Sequence, residues 1–364
     1  MRSMQRRQLL ELLGFSAAAI ALPITGFGQT PAFAKGAVIR ALQKDYAPEE
    51  LGGGATLFHE HLSLAPDFME KFSAASAAVQ AASNGTPART NTAPAPAANN
   101  NPARPPQSGP TRDMQAMLAD LALTKSAGVS CLVDAGHMDM GRDIEFVRRA
   151  ARQSGLPIVA SAGFYSQPYY PREIATMSED EIVKALLDQV DALPAGALGE
   201  IGSWDEMTKD ERKVFRAVGR VQVATNLPVI THTGIPGKAA IEQLDILEDA
   251  GVKPERVVIG HLGNLTDASV YVHKTICRRG AFVGFDRQGG NGDAQQVPLV
   301  MALINAGYAD HLLFSADASS GYDKTLTVFL PKLKAAGASD EVLHRIMVDN
   351  PRRLLAFVPL RPRA

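Results

Sequence analysis

Cysteine is nearly absent: Cys131 and Cys277 are the only two in 364 residues. Both stand in apolar segments, where a thiol behaves as a small hydrophobe, so a disulfide framework is excluded and no bridge between them is expected. Positive charge is not concentrated either. Lys and Arg total 37 against 38 Asp and Glu, for a formal charge of −1. Beyond the amino terminus no run of Lys or Arg forms the footprint that nucleic acid or anionic lipid requires. No uninterrupted apolar run reaches the roughly 20 residues that span a bilayer. A G-x-G-x-x-G after the first strand candidate is also missing, which removes the fingerprint of a dinucleotide fold. What is present is an ordinary globular balance, 46% hydrophobic and 21% charged, enough for a sizeable buried core.

The first 34 residues read as an address. Arg6-Arg7 precede the apolar run Leu9 to Leu22, broken by Glu11 and Ser16, and Ala32-Phe33-Ala34 offers a small-x-small cleavage site. This predicts a twin-arginine-type signal peptide over 1–34 and an exported, periplasmic protein with no membrane span once the leader is removed. Residues 35–364 read as a single domain. Within it, positions 73–107 turn to Ala, Asn, Pro, Thr and Ser, as in "TNTAPAPAANNNPARPPQSGP". Such a composition cannot bury a core. It predicts a disordered or lid-like insertion after the first strand, because the patterns on both sides are needed to complete one fold.

Outside the insertion, short β-branched runs alternate with helical patterns. Strand candidates are Ala55 to Leu62, Cys131 to Gly136, Pro157 to Phe164, Ala197 to Ile201, Pro228 to Thr233, Arg256 to His261, Ala281 to Asp286 and His311 to Ala316. Eight β-then-α units imply an α/β fold, a closed parallel (β/α)₈ TIM barrel.

Barrel enzymes build their sites at the carboxyl ends of strands, and here those ends carry metal-ligand side chains. They read "TLFHEHL", "GEIG", "ITHTG", "IGHLG" and "FSADAS" for strands one, four, five, six and eight. Residues i and i+2 of a strand share a face, so His59 and His61 can both point inward while Glu60 points away. Imidazoles and carboxylates suit zinc, and ligands from several strands can hold two ions about 3.5–4 Å apart. A lone His at a strand end is more often a hydrogen-bonded structural residue. Four of the eight histidines standing at strand ends with Glu200 and Asp317 is a concentration of polarity that is costly to bury without metal. His137 is expected to support a ligand from behind, and His273, His311 and His344 to lie at the surface or at helix edges.

The ordered set "HEHL", a strand-four carboxylate, "THT", "GH" and a strand-eight Asp resembles the phosphotriesterase family of the amidohydrolase superfamily, over nearly the whole chain outside the leader and insertion. The resemblance implies His59, His61 and Asp317 as ligands of one ion, His232 and His261 of the other, and Glu200 as the bridge. Many members bridge with a carboxylated lysine, whereas this strand has no Lys, so the glutamate-bridged branch is the nearer match. "SAGFYSQPYYP" and "GFDRQGG" fit the wider family, the latter resembling its lactonase branch.

Two cations sharing a water lower its pKa and present hydroxide to an electrophile. Asp317 would then accept the proton and return it to the leaving group. Tyr165 either hydrogen-bonds the developing oxyanion or packs at the rim, and Arg287 either orients the substrate or pairs with Asp286. The expected activity is metal-dependent cleavage of a lactone or carboxylic ester, with a phosphotriester as runner-up, an amide third, and a catalytically silent periplasmic metal-binding protein as the reading from another class. Small-molecule substrates are the expected partners, and a homodimer is allowed.

Overall fold

The period-two pattern of the apolar runs sorts their side chains into two cores. Phe58, Val133, Val159, Ile230, Val258 and Leu313 belong to one buried cluster. Their chain neighbours Leu57, Leu132, Ile158, Val229, Val257 and Leu312 belong to another, shared with the helices. A closed sheet with one face inside and helices outside requires this division.

The computed structural model describes residues 31–82, 112–234, 239–265 and 269–361. Its barrel strands are β1 (Ala55–Glu60), β2 (Val129–Asp134), β3 (Ile158–Ala162), β4 (Ala197–Ser203), β5 (Val229–Thr233), β6 (Val257–Ile259), β7 (Phe282–Phe285) and β8 (Leu312–Phe314). They form one eight-stranded sheet in chain order, each pair parallel. Between them run α1 (Phe68–Ala82), α2 (Met114–Ser126), α3 (Ile144–Ser154), α4 (Glu179–Ala192), α5 (Lys209–Thr225), α6 (Ala240–Asp249), α7 (Tyr271–Arg279) and α8 (Asp293–Asn305). Local chemistry starts several of these helices. Ser178 with Glu181 and Thr208 with Glu211 form capping boxes at α4 and α5, satisfying amides that have no partner inside the helix. The eight-strand barrel expected from the alternation is the fold observed.

The chain divides into residues 1–32 and a compact unit spanning 33–364. The expected leader lies outside the described residues except for its last four positions. No described helix is long and apolar enough to cross a membrane. Cys131 and Cys277 are buried and unbridged, and burial pushes both thiols up to about 12. An antiparallel hairpin pairing Ile39–Arg40 with Asp45–Tyr46 packs Ile39 on the inner cluster, as do Leu354 and Leu355. The Leu42 N–H after its first strand donates to Ile158 O at the start of β3, so this plug fills the amino-terminal end of the barrel and leaves the other end for chemistry.

One boundary differs from expectation. Helix α1 runs to Ala82, through positions assigned above to the insertion. The stretch "SAASAAVQAA" is rich in alanine, the strongest helix former, and the preceding turns are anchored by aromatic packing. The Phe68 ring lies 5.1 Å from Tyr169 and 6.0 Å from Tyr165, and Phe72 lies 5.4 Å from Trp204. The rest of the expected insertion, 83–107, falls outside the described residues. Phe68→Ala is expected to lower the free energy of unfolding by about 3 kcal/mol. Urea unfolding checks this, and a loss under about 0.5 kcal/mol, ordinary for a surface change, would show that α1 does not pack as described.

Candidate metal centre

Regular alternation would not bring every ligand-type side chain inward. In β1, Phe58 faces the inner cluster, so an unbroken strand would turn His59 outward. The pairing of β1 with β2 slips between Leu57 and Glu60, and such a bulge re-aims the side chains beyond it. His59 and His61 thereby both enter the barrel mouth, with Glu60 on the other side. A second slip, between Leu198 and Ile201 in the β4–β5 pairing, does the same for Glu200. It depends on Gly199, at φ +135, where a Cβ would lie 2.2 Å from the Ile230 carbonyl oxygen. His232 needs no such device. His261 and Asp317 lie beyond the regular ends of β6 and β8, at φ 62 and 48, with Arg287 beyond β7 at φ 60. These are left-handed conformations disfavoured for side chains with a Cβ, and they concentrate at functional sites.

The result is a carboxylate ringed by imidazoles. Glu200 Oε2 lies 3.1 Å from His59 Nε2, 2.9 Å from His232 Nδ1 and 3.2 Å from His261 Nε2, while Oε1 lies 3.3 Å from His61 Nε2. Asp317 Oδ1 is 3.1 Å from His61 Nε2 and 3.7 Å from His59 Nε2. His59, His61 and Asp317 form one group whose donor atoms all lie within 4.8 Å of one another, and Glu200, His232 and His261 form a second. All six residues implied by the resemblance are thus brought together.

The electrostatics of the chain alone fit divalent cations. Burial works against charge on every group, yet Glu200 is held well below the usual carboxylate range by His59 and His232. Asp317 is depressed likewise, burial being outweighed by His261, His61, His59 and Arg287. In return, and against burial, Glu200 and Asp286 raise His59, and Asp317 and Glu200 raise His61 to about 9. His232 goes the other way, to about 4, through burial and the neighbouring His261. The depressed carboxylates and the raised His59 and His61 mark lone pairs that attract positive charge. Divalent cations compete for those same lone pairs, and neutral imidazole plus carboxylate is a donor set that zinc-type ions accept. Both ring nitrogens of His59 are buried without a hydrogen-bond partner, as is Nδ1 of His61.

Two carboxylates beside the candidate ligands are not evident from the sequence. Residue order suggests Asp286 as a partner for Arg287. Instead, the Arg287 Nε donates to Asp317 Oδ2 at 2.9 Å, because the left-handed turn after β7 carries the guanidinium to β8. Asp286 stands behind the histidines: Oδ1 is 2.8 Å from His261 Nδ1, Oδ2 is 3.6 Å from His59 Nδ1, and Oδ2 also accepts the His261 N–H at 3.1 Å. It therefore lies against one histidine from each group and holds the His261 backbone, a place behind the histidines that was expected above for His137. That histidine is buried, with Nδ1 3.5 Å from Asp139 Oδ1. The available signal was the "FD" at the end of β7. Glu60 is the other omission, visible as the middle of "HEH".

Tyr165 is buried rather than at the rim, with its hydroxyl beside a histidine of the site. Its ring packs in the aromatic cluster of Phe68 and Tyr169, and its hydroxyl lies 3.1 Å from His232 Nδ1. Burial, with Glu200 nearby, raises its pKa well above normal, which keeps the hydroxyl protonated. His273 corrects the expectation of a surface position. It is fully buried beside Ile276 and Cys277 on the apolar face of α7, stacked on Phe285 with Nε2 2.8 Å from Leu262 O. His311 is partly buried with Nδ1 3.1 Å from Ala281 O, and His344 has a side chain 59% exposed.

Comparison with known proteins agrees with this architecture. Residues 45–355 match the model of the phosphotriesterase family. The phosphotriesterase homology protein of Escherichia coli is 30% identical over 244 residues, covering 62% of this chain and 82% of that protein. The aryldialkylphosphatase of Saccharolobus solfataricus is 31% identical over 257 residues, covering 63% and 81%. The N-acetyltaurine hydrolase of Danio rerio is 25% identical over 278 residues, covering 68% and 78%. The crystal structure of the E. coli protein, with phosphate in its active site, superposes with a TM-score of 0.68 at 25% identity, covering 84% of this chain and 99% of that one. The chain belongs to the phosphotriesterase family and is a metal-dependent hydrolase.

Proposed function

We propose that this hydrolase cleaves a lactone or carboxylic ester, using a centre in which His59, His61 and Asp317 would hold one divalent ion, His232 and His261 would hold another, and Glu200 would bridge them. The observation that carries the reading is the arrangement at the mouth. Asp317 is the most accessible of the six, its side chain 12% exposed, and it carries Arg287, 26% exposed, directly on Oδ2. When bound, such ions supply Lewis acidity that acidifies water and polarises a substrate oxygen.

The chain's own groups do the rest. Asp317, ionised at neutral pH, accepts a proton at a carboxylate oxygen from the attacking water and delivers it to the departing alkoxide. Arg287 fixes that carboxylate and presents a permanent cation to the acyl group. The Tyr165 hydroxyl, kept protonated by burial, is a donor to negative charge developing beside His232. Phe72 and Trp204, with rings 6.1 Å and 6.2 Å from His232, exclude water from that side.

A phosphotriester is the second reading, favoured by the relative named aryldialkylphosphatase. One panel tests both: lactones, aryl esters, phosphotriesters and N-acyl amides, offered to metal-loaded and chelated protein. About two divalent ions per chain, zinc by the donor chemistry, are expected by elemental analysis. Lactones or esters should lead the phosphotriesters by at least about tenfold in kcat/KM, a barrier difference of about 1.4 kcal/mol, and chelation should abolish all turnover. A phosphotriester or amide in first place would overturn the substrate assignment. Full activity in protein stripped of metal would overturn the centre itself.

A further inference from the structure

Between β8 and β1 the barrel has no regular ladder among the described residues, and one side chain supplies three of the hydrogen bonds that join them. Glu60 is fully buried at the end of β1, between His59 and His61. Its Oε1 accepts from the Ser315 hydroxyl and the Ala316 N–H, both at 2.8 Å, and its Oε2 accepts from the Ala318 N–H at 3.0 Å. These three donors bracket Asp317 on the chain. The Ser315 hydroxyl also accepts the His59 N–H at 3.0 Å, so a relay runs from His59 through Ser315 to Glu60. Two backbone bonds complete the seam, from Asp317 N–H to His59 O at 3.1 Å and from His61 N–H to Ala318 O at 2.9 Å.

The seam crosses a place that needs holding. Asp317 adopts φ 48, and a left-handed residue outside a helix or ladder persists only where its surroundings over-determine it. All three partners of Glu60 are uncharged donors, so the side chain is there to accept and to fix, not to neutralise a cation. A glutamine in its place would turn an NH₂ toward an N–H or a hydroxyl on at least one side.

We propose that Glu60 is a positioning residue of the metal centre, whose carboxylate reinforces the irregular β8–β1 seam and holds Asp317, together with His59 and His61, in the geometry that binds one of the two ions. The proposal rests on the ligand assignment made above and predicts a selective defect. The ion on the His59, His61 and Asp317 side should weaken, while the ion on the His232 and His261 side is spared.

The test compares wild type, Glu60→Gln and Ser315→Ala, each stripped of metal and then titrated with Zn²⁺ while bound zinc is counted. Far-UV circular dichroism and urea unfolding of the metal-free forms report folding separately. In Glu60→Gln one zinc should bind as in wild type and the other about 10- to 100-fold more weakly, the range for losing a partner behind a ligand. Ser315→Ala, which removes one donor and the relay, should shift the same ion by a smaller factor. A merely structural seam would lower metal-free stability and leave both affinities unchanged in the folded protein, which would overturn the proposal. If Glu60→Gln fails to fold, Ser315→Ala decides: a weakened second ion supports the proposal, and two wild-type affinities overturn it. A wild type that binds fewer than two zinc ions would overturn the two-ion reading, and this inference with it. Two ions in all three proteins, at equal affinity, would overturn this inference alone.

Discussion

Glu200→Gln is expected to lose metal and turnover together, with affinity falling by more than about 100-fold, beyond the 10- to 100-fold typical of a residue behind a ligand. Four imidazole nitrogens lie within 3.3 Å of the Glu200 oxygens, from four different histidines on β1, just beyond β1, on β5 and in the turn after β6. The amide keeps the shape and one acceptor oxygen. It removes the negative charge that offsets two dications in a nearly dry site, where an unpaired charge is expensive. It also places NH₂ where a lone pair was needed. Because β4 has no lysine, activity should not respond to bicarbonate. Metal stoichiometry and hydrolysis measured on the same preparation decide the matter: a Glu200→Gln protein with two bound ions and wild-type turnover would remove the bridging role.

Asp317→Asn should separate chemistry from binding. The substitution removes the proton acceptor while keeping an oxygen for the ion, so kcat should fall by about 10²- to 10⁴-fold, the range for a general acid or base, and more metal should survive than in Glu200→Gln. It also leaves the Arg287 guanidinium without its charged partner on Oδ2, so KM should change as well. Steady-state kinetics with a matched elemental analysis reads both quantities. An Asp317→Asn enzyme within about tenfold of wild type, less than a positioned proton acceptor contributes, would assign the proton transfer to another group.

The barrel and its ligands were legible for different reasons. Eight apolar runs separated by helical patterns specify β/α units, because side-chain period is a property of local backbone geometry. Each candidate ligand was legible because the residue type is costly to bury and stood at a strand end. The partners of those ligands were less legible. Asp286 stands next to a cation, and adjacency in sequence suggested a pairing that the turn does not make, while Glu60 stands between two histidines and was read only as pointing away. Arg287 follows Asp286 directly but reaches Asp317. His273 lies on a helix whose buried face is apolar, which a one-residue reading of a polar type misses. The start of the insertion was misplaced for a related reason, since alanine is as common in low-complexity segments as in helices and only the docking of Phe68 and Phe72 distinguishes them.

The sequence by itself determined the alternation of strand and helix, the barrel it implies, the chemical kinds of the ligands and the absence of a lysine bridge. All of these come from residue type and short-range period. Tertiary structure alone decided how the ligands face one another. Two register slips reverse the facing of β1 and β4, and left-handed residues turn His261, Arg287 and Asp317 into the mouth. A one-residue slip inverts the facing of every side chain after it. Whether a strand slips is settled by its neighbours: by the Ile230 carbonyl beside Gly199, and by Ser315, Ala316 and Ala318 against Glu60, contacts between residues that the chain keeps far apart.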